Sequence, residues 1–289
     1  MVQQLVVNGL IAGCIYALVA LGFALIYRTI RFFHFAHGAV ITLGGYAAYT
    51  ARNALGGPMW VGIVFGALAA SVLGLAIDCL VYRPLRRRKA PDLVFLIASF
   101  GVFLFVQNAI QLAYGPGILS LKTGPISKGH DLLGAIVTDA QIVVIVTTVL
   151  LTAILWALLR FTDLGRRMRA VADDSLGASV IGINPKSVIV ASFGIGSALG
   201  GVAGALVGWE TNLEPTMGLT LILKGIVASI VGGIVSIPGA IMGAILIGLI
   251  ESLVAWTLGA QWQDLVTFAV LVGFLLLRPT GIAGLARER

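Results

Sequence analysis

The sequence predicts an all-α polytopic membrane protein with about nine transmembrane helices (eight to ten), and three observations predict it. Of 289 residues, 59% are hydrophobic and 11% charged, whereas soluble domains carry about 45–50% apolar and about 25% charged residues. Several apolar runs reach the roughly 20 residues that a helix needs to cross a bilayer. Lys and Arg gather in a few segments between those runs instead of spreading along the chain. The whole of 1–289 reads as a single transmembrane domain.

The spans fall near 5–27, 35–51, 59–82, 93–114, 140–160, 186–209, 218–235, 239–257 and 262–278. The first has no basic residue before it and is too long for a signal-peptide core, so it reads as a retained span. The segment 35–51 is short, and the split of 218–257 rests on the SIPG at 236–239, where Pro238 and Gly239 suit a tight turn or helix break. With the uncharged start MVQQ outside, 15 Lys and Arg lie on inside segments: Arg28 and Arg31, Arg83 to Lys89, Arg160 to Lys186, and Arg278, Arg287 and Arg289. Three lie outside (Arg52, Lys122, Lys128), and Lys224 lies within a span. Basic residues concentrate in cytoplasmic loops. This bias therefore places the N-terminus on the periplasmic side and the C-terminus in the cytoplasm, with an odd number of crossings. It also accounts for the net charge of +7 without nucleic acid as a partner.

Cys14 and Cys79 fall inside spans, as small packing residues rather than a disulfide or metal site. The 37 glycines include pairs at four-residue spacing: Gly9/Gly13, Gly62/Gly66, Gly200/Gly204/Gly208 and Gly239/Gly243. Small residues on one helix face let backbones approach closely, a main route to helix association in lipid.

Catalytic signatures are missing from the sequence. No Gly precedes any Lys, so there is no P-loop for ATP, and HExxH and GxSxG do not occur. His34 and His37, three apart, suit local hydrogen bonding at a membrane boundary better than metal binding. No cofactor is called for. Asp78 lies near a cytoplasmic helix end, where water is reachable.

Lys224 and Glu251 are more informative, because a charge in hydrocarbon is costly and usually faces the bundle interior or a wet cavity. Counted from Ile237 at the turn, both rise about 20 Å at 1.5 Å per residue. An antiparallel hairpin thus sets them at similar depth, to neutralise each other or line a path, while separate snorkelling to an interface stays open.

The stretch GRRMRAVADDSLGASVIGIN, residues 165–184, carries five charges in a chain otherwise poor in them. Met168, Val171, Ala172 and Leu176 recur at helical spacing, with Arg166, Arg169, Asp173 and Asp174 largely elsewhere on the wheel. Arg169 and Asp173 are spaced to pair, Asp174 and Ser175 to cap a second short helix, and Asn184 then Pro185 to open the next span. The segment 161–185 thus reads as one or two short helices at the cytoplasmic face. The pattern fits an anchoring helix and a coupling helix equally well.

That stretch, with FGIGSALGGVAGAL after it, resembles the permease subunits of branched-chain amino acid ABC importers, the LivH-type family. NGLIAGCIYALVALGFALIYRTIRFFHFAHGAV and LKGIVASIVGGIVSIPGAIMGAILIGLIES resemble the family's opening span and late hairpin, so the likeness covers nearly the whole chain in order. One departure is His34, where the family usually carries Asn. The resemblance implies a multi-pass permease of the bacterial inner membrane that moves leucine, isoleucine or valine by alternating access. Its implied partners are two ATPase subunits, a second related permease, a periplasmic binding protein and membrane lipid. It further implies that 165–184 is the coupling segment, with Arg166, Arg169, Asp173, Asp174, Gly182 and Asn184 docking on an ATPase. Tyr16, Phe35, Lys224 and Glu251 are the candidates to line the path. Urea, short amides or small organic acids are alternative substrates, and a stand-alone secondary transporter is the alternative function.

Overall fold

The computed structural model describes residues 1–122, 129–132, 134–234 and 236–283; Lys128, Arg287 and Arg289 lie outside them. The bilayer interior offers no water to free peptide groups, so a chain this apolar satisfies its backbone within helices. Among the described residues twelve follow in order: α1 (Val2–Ile30), α2 (Ala36–Leu55), α3 (Met59–Ile77), α4 (Arg83–Arg87), α5 (Asp92–Tyr114), α6 (Asp139–Phe161), α7 (Asp163–Asp173), α8 (Ser175–Val180), α9 (Pro185–Glu210), α10 (Met217–Gly232), α11 (Ile237–Thr257) and α12 (Gln263–Leu277). The chain is a multi-pass, mainly helical membrane protein. A short antiparallel hairpin, His130–Leu132 with Ala135–Val137, is added between α5 and α6.

Each of the nine sequence-predicted spans corresponds to one of these helices. Among the described residues, seven segments are long and apolar enough to cross a membrane. Helix α10, at 16 residues, is about 24 Å long against a hydrocarbon core of about 30 Å. Helix α2 is diluted by His37, two Thr, Arg52 and Asn53.

The core is built around α1 and α9, whose most apolar stretches are 83% and 72% buried, whereas the stretch Ala260–Leu277 that ends in α12 is 6% buried. Glycines set the α1–α11 seam. A Cβ on Gly9 or Gly13 would lie 2.8 Å from the Cα of Leu249 or Ile245, so only a bare Cα admits this approach. Gly44 and Gly201 bring α2 and α9 together in the same way. Cys14 is partly buried, but Cys79 is exposed, so it does not pack within the chain as its position in a span suggested.

Helix α3 runs through one π turn, Asp78–Tyr82, into α4. The wider turn carries both Asp78 and Tyr82 into the interior. Asp78 was placed within reach of water; instead it is 2% exposed and accepts a hydrogen bond from Arg86 Nη2 at 2.5 Å. The basic side chain of α4 folds back to neutralise it, because a buried carboxylate without a partner is costly.

Candidate functional site

Four helices contribute to one buried polar centre. Lys224 of α10 and Glu251 of α11 carry side chains 13% and 3% exposed, and Lys224 Nζ lies 3.0 Å from each Glu251 carboxylate oxygen. The Tyr16 hydroxyl of α1 donates to Glu251 Oε2 at 2.6 Å and lies 3.4 Å from Lys224 Nζ. From the first two turns of α12, Thr267 Oγ1 donates to Glu251 Oε1 at 2.8 Å, and Asp264 Oδ1 lies 3.3 Å from Lys224 Nζ. The ammonium also sits over the Tyr16 ring, 5.5 Å from its centroid. Every lone pair that a buried Glu251 presents inward thus has a donor, the condition under which a buried ion pair is tolerated.

A cavity of about 620 Å³ opens beside this centre. Ile11, Ile15, Val207 and Leu221 supply apolar wall, while Asn8, Gln141, Glu210, Asn212 and Glu214 supply polar groups. Tyr16 belongs to both the cavity lining and the buried centre. Of the four path candidates, Tyr16, Lys224 and Glu251 therefore meet. Phe35 stands apart, at the N-cap of α2 with its ring edge-on to Phe100 at 6.3 Å.

Sequence reasoning missed Glu210 and Gln141, Thr267 and Asp264. Glu210 is the last residue of α9, just beyond the end set for its span, and so escaped the count of intramembrane charges. The others are polar residues at helix starts, unremarkable without knowing which helices meet.

Other buried polar groups lie away from the cavity. His34 and His37 are fully buried; His34 Nδ1 is 2.8 Å from the Tyr82 hydroxyl, and Ser99 Oγ accepts from the Ala36 amide. His37 fits beside Gly22 and Gly200, where a Cβ would lie 2.9–3.0 Å from its Nε2. Among the described residues, no three His, Cys, Asp or Glu gather to hold a metal.

The charged segment forms α7 and α8. Thr162 Oγ1 caps α7 by accepting from the Gly165 amide, Asp174 Oδ1 caps α8 by accepting from the Leu176 amide, and Asn184 Oδ1 caps α9 by accepting from the Lys186 amide. Gly182, at φ +85°, makes the turn before α9 in the left-handed region that suits glycine. Met168, Val171 and Ala172 bury the inner face of α7. Arg31, beyond the end of α1, donates from Nη2 to the Ala172 carbonyl at 2.5 Å and the Asp173 carbonyl at 3.2 Å. It thereby satisfies the last carbonyls of α7, which have no partners within the helix.

Two expectations need correction. Arg169 does not turn to Asp173; its guanidinium donates to the Leu159 carbonyl, because α7 folds back against the open carbonyl end of α6. Leu176 does not join the buried stripe. Asp174, at φ −147° and ψ 107°, breaks the helix and resets its register, leaving Leu176, Val180 and Ile181 at 79%, 83% and 73% exposure. On the outer face of α7, Arg166 pairs with Asp163, and that contact holds the exposed Asp163 carboxyl below its ordinary range.

With this geometry in place, comparison with known proteins is specific. The family described as branched-chain amino acid transport system / permease component matches residues 5–275. The high-affinity branched-chain amino acid transport permease LivH of Escherichia coli (strain K12) is 36% identical over 297 residues, covering 97% of this chain and 95% of the relative. BraD of Pseudomonas aeruginosa, a permease of the same description, is 36% identical over 295 residues, covering 98% and 95%. A solved structure, PsaBC from Streptococcus pneumoniae in complex with Fab, aligns over 96% of this chain and 92% of its own at a TM-score of 0.55. At 12% identity it shares the fold alone.

Proposed function

The chain belongs to the permease-component family of branched-chain amino acid transport systems, and from that premise we propose that it is the membrane-spanning subunit of an ATP-driven importer. It is a permease, not itself an enzyme. In this reading it lies in the bacterial inner membrane with its N-terminus periplasmic. A binding protein delivers branched-chain amino acids to the cavity, and a second permease completes the path. Two ATPases dock on the cytoplasmic face, one of them on α7 and α8.

The carrying observation is the construction of that segment. Its inner face is buried and clamped, while its tip presents Leu176, Val180 and Ile181 to the outside. Exposed apolar residues ringed by polar ones fit a protein partner, and the charges at Arg166, Asp173 and Asp174 suit a rim that orients it. The docking surface proposed is therefore the apolar tip with Gly182 and Asn184 shaping the turn behind it. Arg169 acts inward, tying α7 to α6.

The mechanism follows from the clamps. Motion of the ATPases displaces α7, and Arg31 passes it to α1. Helix α1 has 29 residues, about 43 Å of rigid rod, with Tyr16 near its middle. Its displacement moves Tyr16 against Glu251 and Lys224, opening one side of the centre and closing the other. Binding energy at the ATPase face is thereby converted into a change of access beside the cavity.

The test is uptake of L-leucine by proteoliposomes holding the chain with its neighbouring permease, ATPases and binding protein. Accumulation that requires ATP hydrolysis supports the reading. Accumulation by the isolated chain on an ion gradient rejects it in favour of a secondary transporter. Uptake of urea or amides in place of leucine reassigns the substrate.

A further inference from the structure

We propose that Glu210 is the ammonium-binding group of the cavity, so that the solute enters with its primary ammonium on Glu210 and its apolar side chain against Ile11, Ile15 and Val207. This rests on the permease reading above and assigns a residue to the recognition of the transported amino acid.

Three observations converge on Glu210. Its Oε1 accepts from Gln141 Nε2 at 2.8 Å, while its Oε2 is buried with no hydrogen-bond partner among the described residues. A buried carboxylate oxygen left without a donor is costly, so the site is built for a donor that arrives from elsewhere. Glu210 is also the last residue of α9, with no basic residue in the final turn. The C-terminal end of a helix carries partial negative charge and favours a cation, so a carboxylate placed there doubles the demand for one. Finally, the cavity that Glu210 lines has Glu214 as its other ionisable carboxylate and no Lys, Arg or His among its lining residues.

The geometry is held firmly. Gln141 is fixed as the third residue of a capping box: its Oε1 accepts from the Thr138 amide at 3.0 Å, and its own amide donates to Thr138 Oγ1 at 3.3 Å. That leaves its Nε2 for Glu210 Oε1 and leaves Oε2 as the oxygen without a donor. The apolar wall is contributed by the adjoining turns of α1 and α9, so the cavity offers hydrocarbon contacts as well as charge. That lining suits an ammonium borne on a branched aliphatic solute, and not a neutral amide.

The experiment uses the complete importer in proteoliposomes, with L-leucine supplied through its binding protein. Glu210→Gln keeps the shape and the Gln141 contact and removes the charge. The expected result is L-leucine uptake lowered about tenfold or more, the factor that loss of one charge-assisted hydrogen bond gives, with complex yield and ATPase activity retained. Glu210→Asp keeps a larger share of uptake than Glu210→Asn, a comparison at fixed shape that also serves if Glu210→Gln does not assemble. Uptake equal to wild type in Glu210→Gln, or equal in the Asp and Asn variants, overturns the proposal. A wild-type complex that takes up no leucine defeats the permease reading itself rather than the role of Glu210.

Discussion

Two ion pairs in this molecule share their chemistry and differ in everything around them. Lys224–Glu251 is enclosed by α1, α10, α11 and α12 and shares its oxygens with Tyr16 and Thr267. Arg166–Asp163 lies on the outer face of α7 with both side chains 70% exposed. Water screens the second pair and would solvate either partner alone, so exposed pairs contribute little. If Glu251 is lost, Lys224 keeps only the Tyr16 hydroxyl and the exposed Asp264 as partners. The lesson is that position within the fold, not the presence of a salt bridge, decides what a charge does here.

The largest break of this contrast is Glu251→Ala. It leaves a buried ammonium with only the exposed Asp264 as a counter-charge, and breaking one partner of a buried pair costs about 3–5 kcal/mol. The expected outcome is a large fall in folded yield in detergent and in thermal midpoint. The double change Lys224→Met with Glu251→Leu recovers much of the yield but not uptake. Strictly additive effects of Lys224→Ala and Glu251→Ala would show that the two do not act as a pair.

Next in size is the tip of α8. Leu176→Glu leaves insertion and folding unchanged, since the residue is exposed, but abolishes co-purification of the ATPase, as loss of a buried apolar anchor at an interface typically costs 2 kcal/mol or more. Arg31→Met is smaller. Removing its two hydrogen bonds to α7 carbonyls lowers transport per ATP hydrolysed several-fold with little change in ATPase binding. A variant that hydrolyses and transports in normal proportion would show that α1 is not the lever.

The smallest effect belongs to the surface pair. Arg166→Ala changes the thermal midpoint within experimental scatter at neutral pH. Because Arg166 lowers the Asp163 carboxyl, any contribution is present above its ordinary value of 3.8 and disappears as pH falls through the lowered one. A stability change near pH 7 on raising salt would contradict this.

Much of this contrast is legible in the sequence, for identifiable reasons. Apolar runs mark the helices because lipid demands it, and the turn at Pro238 let Lys224 and Glu251 be set at one depth by counting. Their atoms meet at 3.0 Å. Tyr16 was a path candidate, but its place at the junction of cavity and ion pair depends on the rotation of α1 about its axis, which glycine contacts with α11 fix and no periodicity reveals. Leu176 was misread because a single extended residue, Asp174, resets the helical phase. Glu210 was invisible because its meaning comes from Gln141, 69 residues away.

The π turn at Asp78–Tyr82 amounts to one residue inserted into an otherwise continuous helix. Deleting Cys79, which is exposed, would restore ordinary winding, and because the α-helix completes its turn in one residue fewer, the helix beyond would keep its phase. The extra peptide unit is thus absorbed between Asp78 and Tyr82, the two ends of the wide turn, and the arginine-rich segment after it keeps its aim whether that unit is present or not.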